Sequence, residues 1–194
     1  GADFGALDLD AEIELIGLKG QCKQAVAWIG RFRLAARRAT VLPAGESIHA
    51  DPGDDLAWPA PRPIEAGRCL FEPDPAVIRA NLVGPLARNL NLAPVDPLIA
   101  CLTGPEPVAS NFVRAFRVIE AVDFSAAAVR RLLSRHAVGQ LEIKTRGFAP
   151  RPEDIRRLLQ PRGHRAAVLL LTRIAGRARA ILADPLMPFA NPGT

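Results

Sequence analysis

Tyrosine is absent from the 194 residues, and Phe and Trp together number ten. Aromatic platforms for stacking RNA bases on an open sheet are therefore poorly supplied, which counts against a reader of the RNA-recognition-motif type. No stretch of 18 apolar residues occurs, so no segment is expected to span a membrane. No basic start followed by an apolar run opens the chain, so a secretory signal is not expected. The three cysteines, Cys22, Cys69 and Cys101, are odd in number and widely spaced. That pattern suggests reduced thiols in a cytoplasmic protein, not a disulfide framework. His49, His136 and His164 are equally scattered and no Cys-x-x-Cys accompanies them, so no metal centre is expected.

Catalytic signatures are missing too. Ser110, Ser125 and Ser134 stand outside any Gly-x-Ser-x-Gly context. There is no Walker loop and no Gly-x-Gly-x-x-Gly. The paired carboxylates Asp54-Asp55 and Glu72/Asp74 are better explained by a polar loop and by helix capping. The Asp-Pro pairs at 51, 74, 96 and 184 are turn and cap chemistry. No complete catalytic constellation emerges.

What the chain does have is a charge polarity. Residues 114–179 hold 15 Lys/Arg against 5 Asp/Glu, whereas residues 1–109 hold 10 against 14. The local charges are +10 and −4, within a formal net charge of +5. A basic module of this kind suits an anionic polymer, with counterion release supplying affinity. The competing explanation is arginine used simply to solvate helix surfaces. The length allows one or two small domains, and an apolar content of 49% is enough for a packed core.

The periodicities give a coarse map. Residues 12–16 predict a strand, Lys19-Gly20 a turn, and 21–29 a helix with Cys22, Ala25, Val26 and Ile29 on one apolar face. Cys22 is then a core residue. With a strand at 38–42, the opening is a strand–helix–strand unit of an α/β sheet. The segment 43–67, rich in Pro, Gly and Asp, is an irregular connection with a short strand at 47–50 and Trp58 as a plug. A strand at 68–72 leads to Asp74 as N-cap and Pro75 as first helical residue. The helix that follows carries Ile78, Leu82 and Leu86, and Gly84-Pro85 is expected to kink or end it. A further strand is expected at 98–102.

The C-terminal module opens near Phe112 with a strand at 116–123. Ser125 caps a helix to His136, with Val129, Leu132, Leu133 and His136 inward. Gly139 ends the turn before an alternating strand at 140–145. Pro152 opens a helix with Glu153 and Asp154 in its first turn and Ile155, Leu158 and Leu159 as its apolar stripe. Strands at 166–174 and 177–183 form a hairpin across Ala175-Gly176, the run 166–171 being central. The order β-α-β-α-β-β makes an α+β sandwich with helices on one face of a mixed sheet. The tail from Asp184 carries three prolines and is expected to be loose.

The basic constellation is the candidate site. Arg130, Arg131 and Arg135 lie on one predicted helix, Arg156 and Arg157 on the other. Lys144 and Arg146 end the strand between them, and Arg162 and Arg165 flank the turn before the apolar strand. If both helices pack on one sheet face, these side chains form a single cationic surface, each phosphate contact adding roughly one unit of salt dependence.

Several segments resemble a known family. The run VGQLEIKTRGF (138–148), then PEDIRRLL (152–159), RGHRAAVLLLTRIAGR (162–177) and AILA (180–183), resembles the THUMP-like C-terminal domain of a group of bacterial class I S-adenosylmethionine-dependent methyltransferases. RCLFEPDPAVIRANL (68–82) resembles the small ferredoxin-like insert before that domain. IELIGLKGQCKQAVAWIG (13–30) with RRATVLP (37–43) resembles the last strand–helix–strand of their Rossmann-like catalytic domain. The resemblance is collinear and covers nearly the whole chain.

It implies a fold that is α/β and α+β: a Rossmann-like remnant at 1–43, a linker at 44–67, a ferredoxin-like segment at 68–109, a THUMP-like domain at 110–183 and a tail at 184–194. It implies methyl transfer from S-adenosylmethionine in the full-length family, and recognition of RNA, tRNA or rRNA, by the THUMP-like part. The family's glycine-rich cofactor loop and Asp-Pro catalytic motif belong upstream of residue 1, so no cofactor-binding or catalytic residue is carried over. The chain alone is expected to bind no cofactor and to be inactive. The first residue is Gly, not Met, and the chain is expected to be a piece of something longer or a trimmed product. Gly84-Pro85, within the insert's helix, raises a decayed or split gene product. The alternative is a non-catalytic packing domain that docks on a methyltransferase core, the missing catalytic half, or associates with a second copy.

Overall fold

A computed structural model describes residues 10–148 and 151–186. The chain divides into two compact units whose sequences interleave. Unit 1 comprises Gly1–Pro59, Pro73–Asn91 and Ala109–Val113; unit 2 comprises Ala60–Glu72, Leu92–Val108 and Arg114–Thr194. The segment 68–109 thus contributes to both.

Unit 1 contains a four-stranded sheet in the order β2-β1-β3-β4, built from β1 (Ala11–Leu18), β2 (Gln21–Ile29), β3 (Arg37–Leu42) and β4 (Glu46–Ala50). β2 corrects the expectation of a helix at 21–29. Lys19 and Gly20 take φ of 51° and 70°, the two left-handed positions of a tight hairpin turn. This reverses the chain and pairs Leu18 with Gln21, so the next residues lie antiparallel on β1. No Ser, Thr, Asp or Asn stands at 20–22 to cap a helix start. The opening is therefore a hairpin followed by β3 parallel to β1, not a strand–helix–strand unit. Cys22 is half-buried and Ala25 and Ile29 are exposed, so the expected apolar helix face does not exist and Cys22 is not a core residue.

Asp74 caps α1 (Pro75–Arg79) as expected, its Oδ1 accepting from the Ala76 N–H at 2.8 Å. The single helix expected around Gly84-Pro85 is two helices. Asn81 at φ 56° separates α1 from α2 (Val83–Asn89). Pro85 falls in the first turn of α2, where an N–H has no intrahelical partner, so it breaks nothing. A side chain at Gly84 would stand 2.4 Å from the Ala57 carbonyl oxygen, which explains the glycine by close approach. α1 packs against β1, β2 and β3 over a core that includes Leu15, Ala39, Val41 and Val77.

Unit 2 is built on a seven-stranded mixed sheet, order β6-β7-β5-β8-β11-β10-β9. Its strands are β5 (Cys69–Pro73), β6 (Ala93–Asp96), β7 (Ile99–Gly104), β8 (Val113–Asp123), β9 (Val138–Arg146), β10 (Arg165–Ile174) and β11 (Arg177–Leu186). β6 has no counterpart in the sequence reading; four residues with a proline leave too little periodicity. α3 (Ala126–Arg135) and α4 (Pro152–Leu159) connect β8 to β9 and β9 to β10. Ser125 caps α3 by accepting from the Ala128 N–H at 3.1 Å. Ala175 and Gly176, at φ 49° and 76°, make the β10–β11 hairpin turn.

The parity of the strands separates two cores. Leu141, Ile143, Leu169, Leu171 and Leu182 pack with Val129, Leu132 and Leu133 of α3 and Ile155 and Leu159 of α4. Val168, Leu170 and Ile181 pack with Leu70, Val95, Ile99, Cys101 and Phe116. Each fully buried aliphatic side chain contributes about 1.5–3 kcal/mol relative to exposure. Leu158, expected in the α4 stripe, is instead exposed. The turn before β9 is made by Ala137 at φ 51°, and Gly139 lies within the strand, not in the turn. Asp184 to Leu186 continue β11 and Asp184 pairs with Arg165 at 2.5 Å, so the expected loose tail does not begin at 184; its remaining positions 187–194 lie outside the described residues.

Candidate nucleic-acid interface

α3 and α4 lie on the same face of the unit 2 sheet and touch one another. Between them and the β9 and β10 starts is a cleft of about 510 Å³. Its floor is apolar, from Leu133, Val138 and Leu159, and its rim carries Arg130, Ser134, Gln160 and Arg162. Beside the cleft two backbones meet without side chains. A Cβ on Gly139 would lie 1.7 Å from the Gly163 carbonyl oxygen, and one on Gly163 1.9 Å from the Ala137 oxygen. The Gly163 N–H donates to the Val138 oxygen at 3.0 Å, and the His164 and Arg165 N–H groups both donate to the Ala137 oxygen at 2.9 Å. At the end of α4, Gln160 at φ 46° turns the chain left-handed and directs the loop back across β9.

The nine basic residues singled out from the sequence fall into three groups. Arg131, Arg157 and Arg162 are exposed; Arg157 has only a loose contact with Asp154 at 3.8 Å, and no partner is recorded for Arg131 or Arg162 among the described residues. Arg130 and Arg156 serve the scaffold while keeping their charge: Arg130 donates to the Leu158 carbonyl, Arg156 Nη2 to the Leu141 carbonyl at 2.5 Å. Arg135, Lys144, Arg146 and Arg165 are neutralised by carboxylates. Arg135 pairs with Glu120 at 2.6 Å and Arg165 with Asp184.

Lys144 and Arg146 are not part of the helix-side surface. Leu141 and Ile143 face the helices, so Glu142 and Lys144, alternate along β9, face the other side. There Lys144 Nζ and Arg146 Nη2 meet the Glu72 carboxylate at 2.6 and 2.5 Å, with Glu72 only 10% exposed. Glu72 is therefore an ion-pair centre, not the capping group expected beside Asp74. Sequence reasoning could not find it, because the partners are more than 70 residues apart. Ser134, Gln160 and Gly163 were missed as well, and only the glycine beside Arg162 gave any signal.

Other titratable groups support the fold. The half-buried His136 bonds through Nε2 to Glu120 at 2.9 Å, and this bond, with Arg135, holds the Glu120 carboxyl below its usual range. Burial pushes the Cys101 and Cys69 thiols up, as befits packed, unreactive groups. All three cysteines are free. Among the described residues no cluster of three or more His, Cys, Asp or Glu could hold a metal ion, and no helix is long and apolar enough to cross a membrane.

Helices on one face of a mixed sheet, with a cleft between them, define an α+β module. Residues 113–185 match the family described as THUMP domain-like. Over 180 residues the chain is 37% identical to the "uncharacterized S-adenosylmethionine-dependent methyltransferase" of Mycobacterium tuberculosis, in both strains CDC 1551/Oshkosh and H37Rv. That match takes in 90% of this chain and 48% of each relative. The fold is also that of the crystal structure of a "putative methyltransferase" from Porphyromonas gingivalis W83, with TM-score 0.68 and 19% identity over 91% of this chain and 46% of that one. The chain is thus similar over 90% of its length to proteins named as S-adenosylmethionine-dependent methyltransferases, with a THUMP-like match at 113–185, and it spans about half the length of the curated relatives it matches.

Proposed function

We propose that this chain is the RNA-recognising part of an S-adenosylmethionine-dependent methyltransferase, working in the cytoplasm on tRNA or rRNA. The observation that carries the reading is the cleft of about 510 Å³ with Arg130 and Arg162 on its rim, on a helix pair that also exposes Arg131 and Arg157. Arg130, Arg131 and Arg162 have no carboxylate partner among the described residues, and Arg157 only the 3.8 Å contact with Asp154, so their attraction for phosphate is largely retained. The free, reduced cysteines agree with a cytoplasmic setting.

The residues in hand do not fit the cofactor itself. β1 runs directly into the Lys19-Gly20 hairpin, where a cofactor cradle needs a glycine loop opening a helix. No step through S-adenosylmethionine is therefore derived on these residues; methyl transfer belongs to the whole protein of the relatives' length.

Binding of a labelled tRNA pool at two salt concentrations tests the reading. Affinity that falls steeply with salt, and a slope reduced by roughly one unit for each arginine removed, is the expected result. An Arg131→Glu/Arg157→Glu/Arg162→Glu variant that binds as tightly as the wild type would overturn it.

A further inference from the structure

β2 carries the sequence QCKQAVAWI, with one charge and no proline in nine residues. Among the described residues it pairs with β1 on one side only and ends the order β2-β1-β3-β4. Edge strands normally carry charge, proline or a cover, because a bare edge recruits other strands. This one does the opposite: five consecutive apolar residues, 25–29, lie on it and none is buried. Exposed apolar side chains stand on both faces at the end of the strand and follow it in sequence. Trp28 is 37% exposed, Ile29 62%, Phe32 59% and Leu34 74%. Large side chains this exposed, next to one another in sequence and beside an unpaired edge, mark a covered surface.

We propose that the β2 edge and the patch Trp28, Ile29, Phe32 and Leu34 dock the remainder of a methyltransferase polypeptide, whose own strand adds to β2. The occupant follows from length. The match covers 48% of the Mycobacterium tuberculosis relatives and 46% of the Porphyromonas gingivalis structure, so each holds a comparable amount of chain outside it. A strand on the same polypeptide meets β2 at an effective concentration on the order of millimolar, which outcompetes a second copy at micromolar levels. Strand addition satisfies the outward N–H and C=O groups of β2, and the exposed apolar side chains at its end give the added segment apolar contacts.

Hydrogen exchange on residues 21–29 tests this, comparing the chain alone with the chain joined in one polypeptide to the half of the Mycobacterium tuberculosis relative that the match leaves out. The expected result is at least tenfold slower exchange of β2 amides in the joined form. An Ile29→Lys/Phe32→Lys/Leu34→Lys variant should reverse most of that protection with an unchanged circular dichroism spectrum. Its affinity for tRNA should also be unchanged, which separates this proposal from the RNA reading. Equal exchange in both forms overturns the proposal, as does protection that survives the triple variant. Protection already present in the chain alone, together with a dimer mass by light scattering, overturns it in favour of a second copy.

Discussion

Arg130 on α3 caps α4: its Nε and Nη2 both donate to the Leu158 carbonyl, at 3.2 and 2.6 Å. Leu158 is in the last turn of α4, where carbonyls lack intrahelical donors and the helix dipole favours a cation. One side chain thus joins the two helices and walls the cleft.

Arg130→Ala should therefore act on stability as well as on binding. Loss of a charge-assisted pair of bonds is expected to cost about 1.5–3 kcal/mol in urea unfolding. Arg131→Ala and Arg162→Ala, with no recorded partner, should stay within about 0.5 kcal/mol of wild type. Binding lost in all three with stability lost only in Arg130→Ala is the expected pattern.

Glu72 is the counterion of both Lys144 and Arg146. Glu72→Ala strands Arg146, at 37% exposure, and leaves the buried Lys144, at 14%, only the longer 3.4 Å pair with Glu142. Breaking a buried pair from one side costs several kcal/mol; the partly open Arg146 and the residual Glu142 pair of Lys144 reduce this to about 2 kcal/mol. Thermal unfolding should show it, and the variant should keep its RNA affinity because these cations lie on the face away from the helices.

The Glu120 carboxyl is held low by its bond to His136 and by Arg135. A carboxylate with a depressed folded pKa contributes stability above its unfolded value, about 4.5, and loses it as pH falls through the folded value. The stability gap between wild type and Glu120→Gln should therefore be largest near neutral pH and close in strong acid. A gap independent of pH in denaturant titrations would contradict this.

Asp74 shows the opposite sign. Burial pushes its carboxyl up, against the Ala76 N–H bond that lowers it. Its protonated form is favoured in the folded state, so this contribution is lost as pH rises. Asp74→Asn keeps an acceptor for Ala76 without a buried charge, and should match or exceed wild-type stability at pH 7 by up to about 1 kcal/mol. Gly17→Ala should do the reverse: its Cβ would fall 2.4 Å from Asp74 Oδ1, forcing the cap aside at a cost of about 1–3 kcal/mol.

The C-terminal module was legible because its signals are local. Ser125, Pro152 and Ala175-Gly176 announce their elements within a few residues, and the alternation of Leu141 and Ile143 fixes a face. The segment 21–29 was not legible, because Cys22, Ala25, Val26 and Ile29 satisfy a helical period on a strand that buries almost nothing. With no burial on β2, apolar spacing carried no information about its partner, and the turn at Lys19-Gly20 decided the outcome. For the site, the helix arginines could be placed in advance, but which of the nine are neutralised depended on Glu72, Glu120 and Asp184, contacts that span 15 to 74 residues.

The family match begins at residue 113, yet the sheet it belongs to begins with β5. A fragment cut at 113 would lose β5, β6 and β7, leave β8 as a raw edge and strip Leu70, Val95, Ile99 and Cys101 from one core. The recognisable domain is thus not a detachable one. Exchanging THUMP-like domains between relatives therefore requires moving residues 60–72 and 92–108 with them.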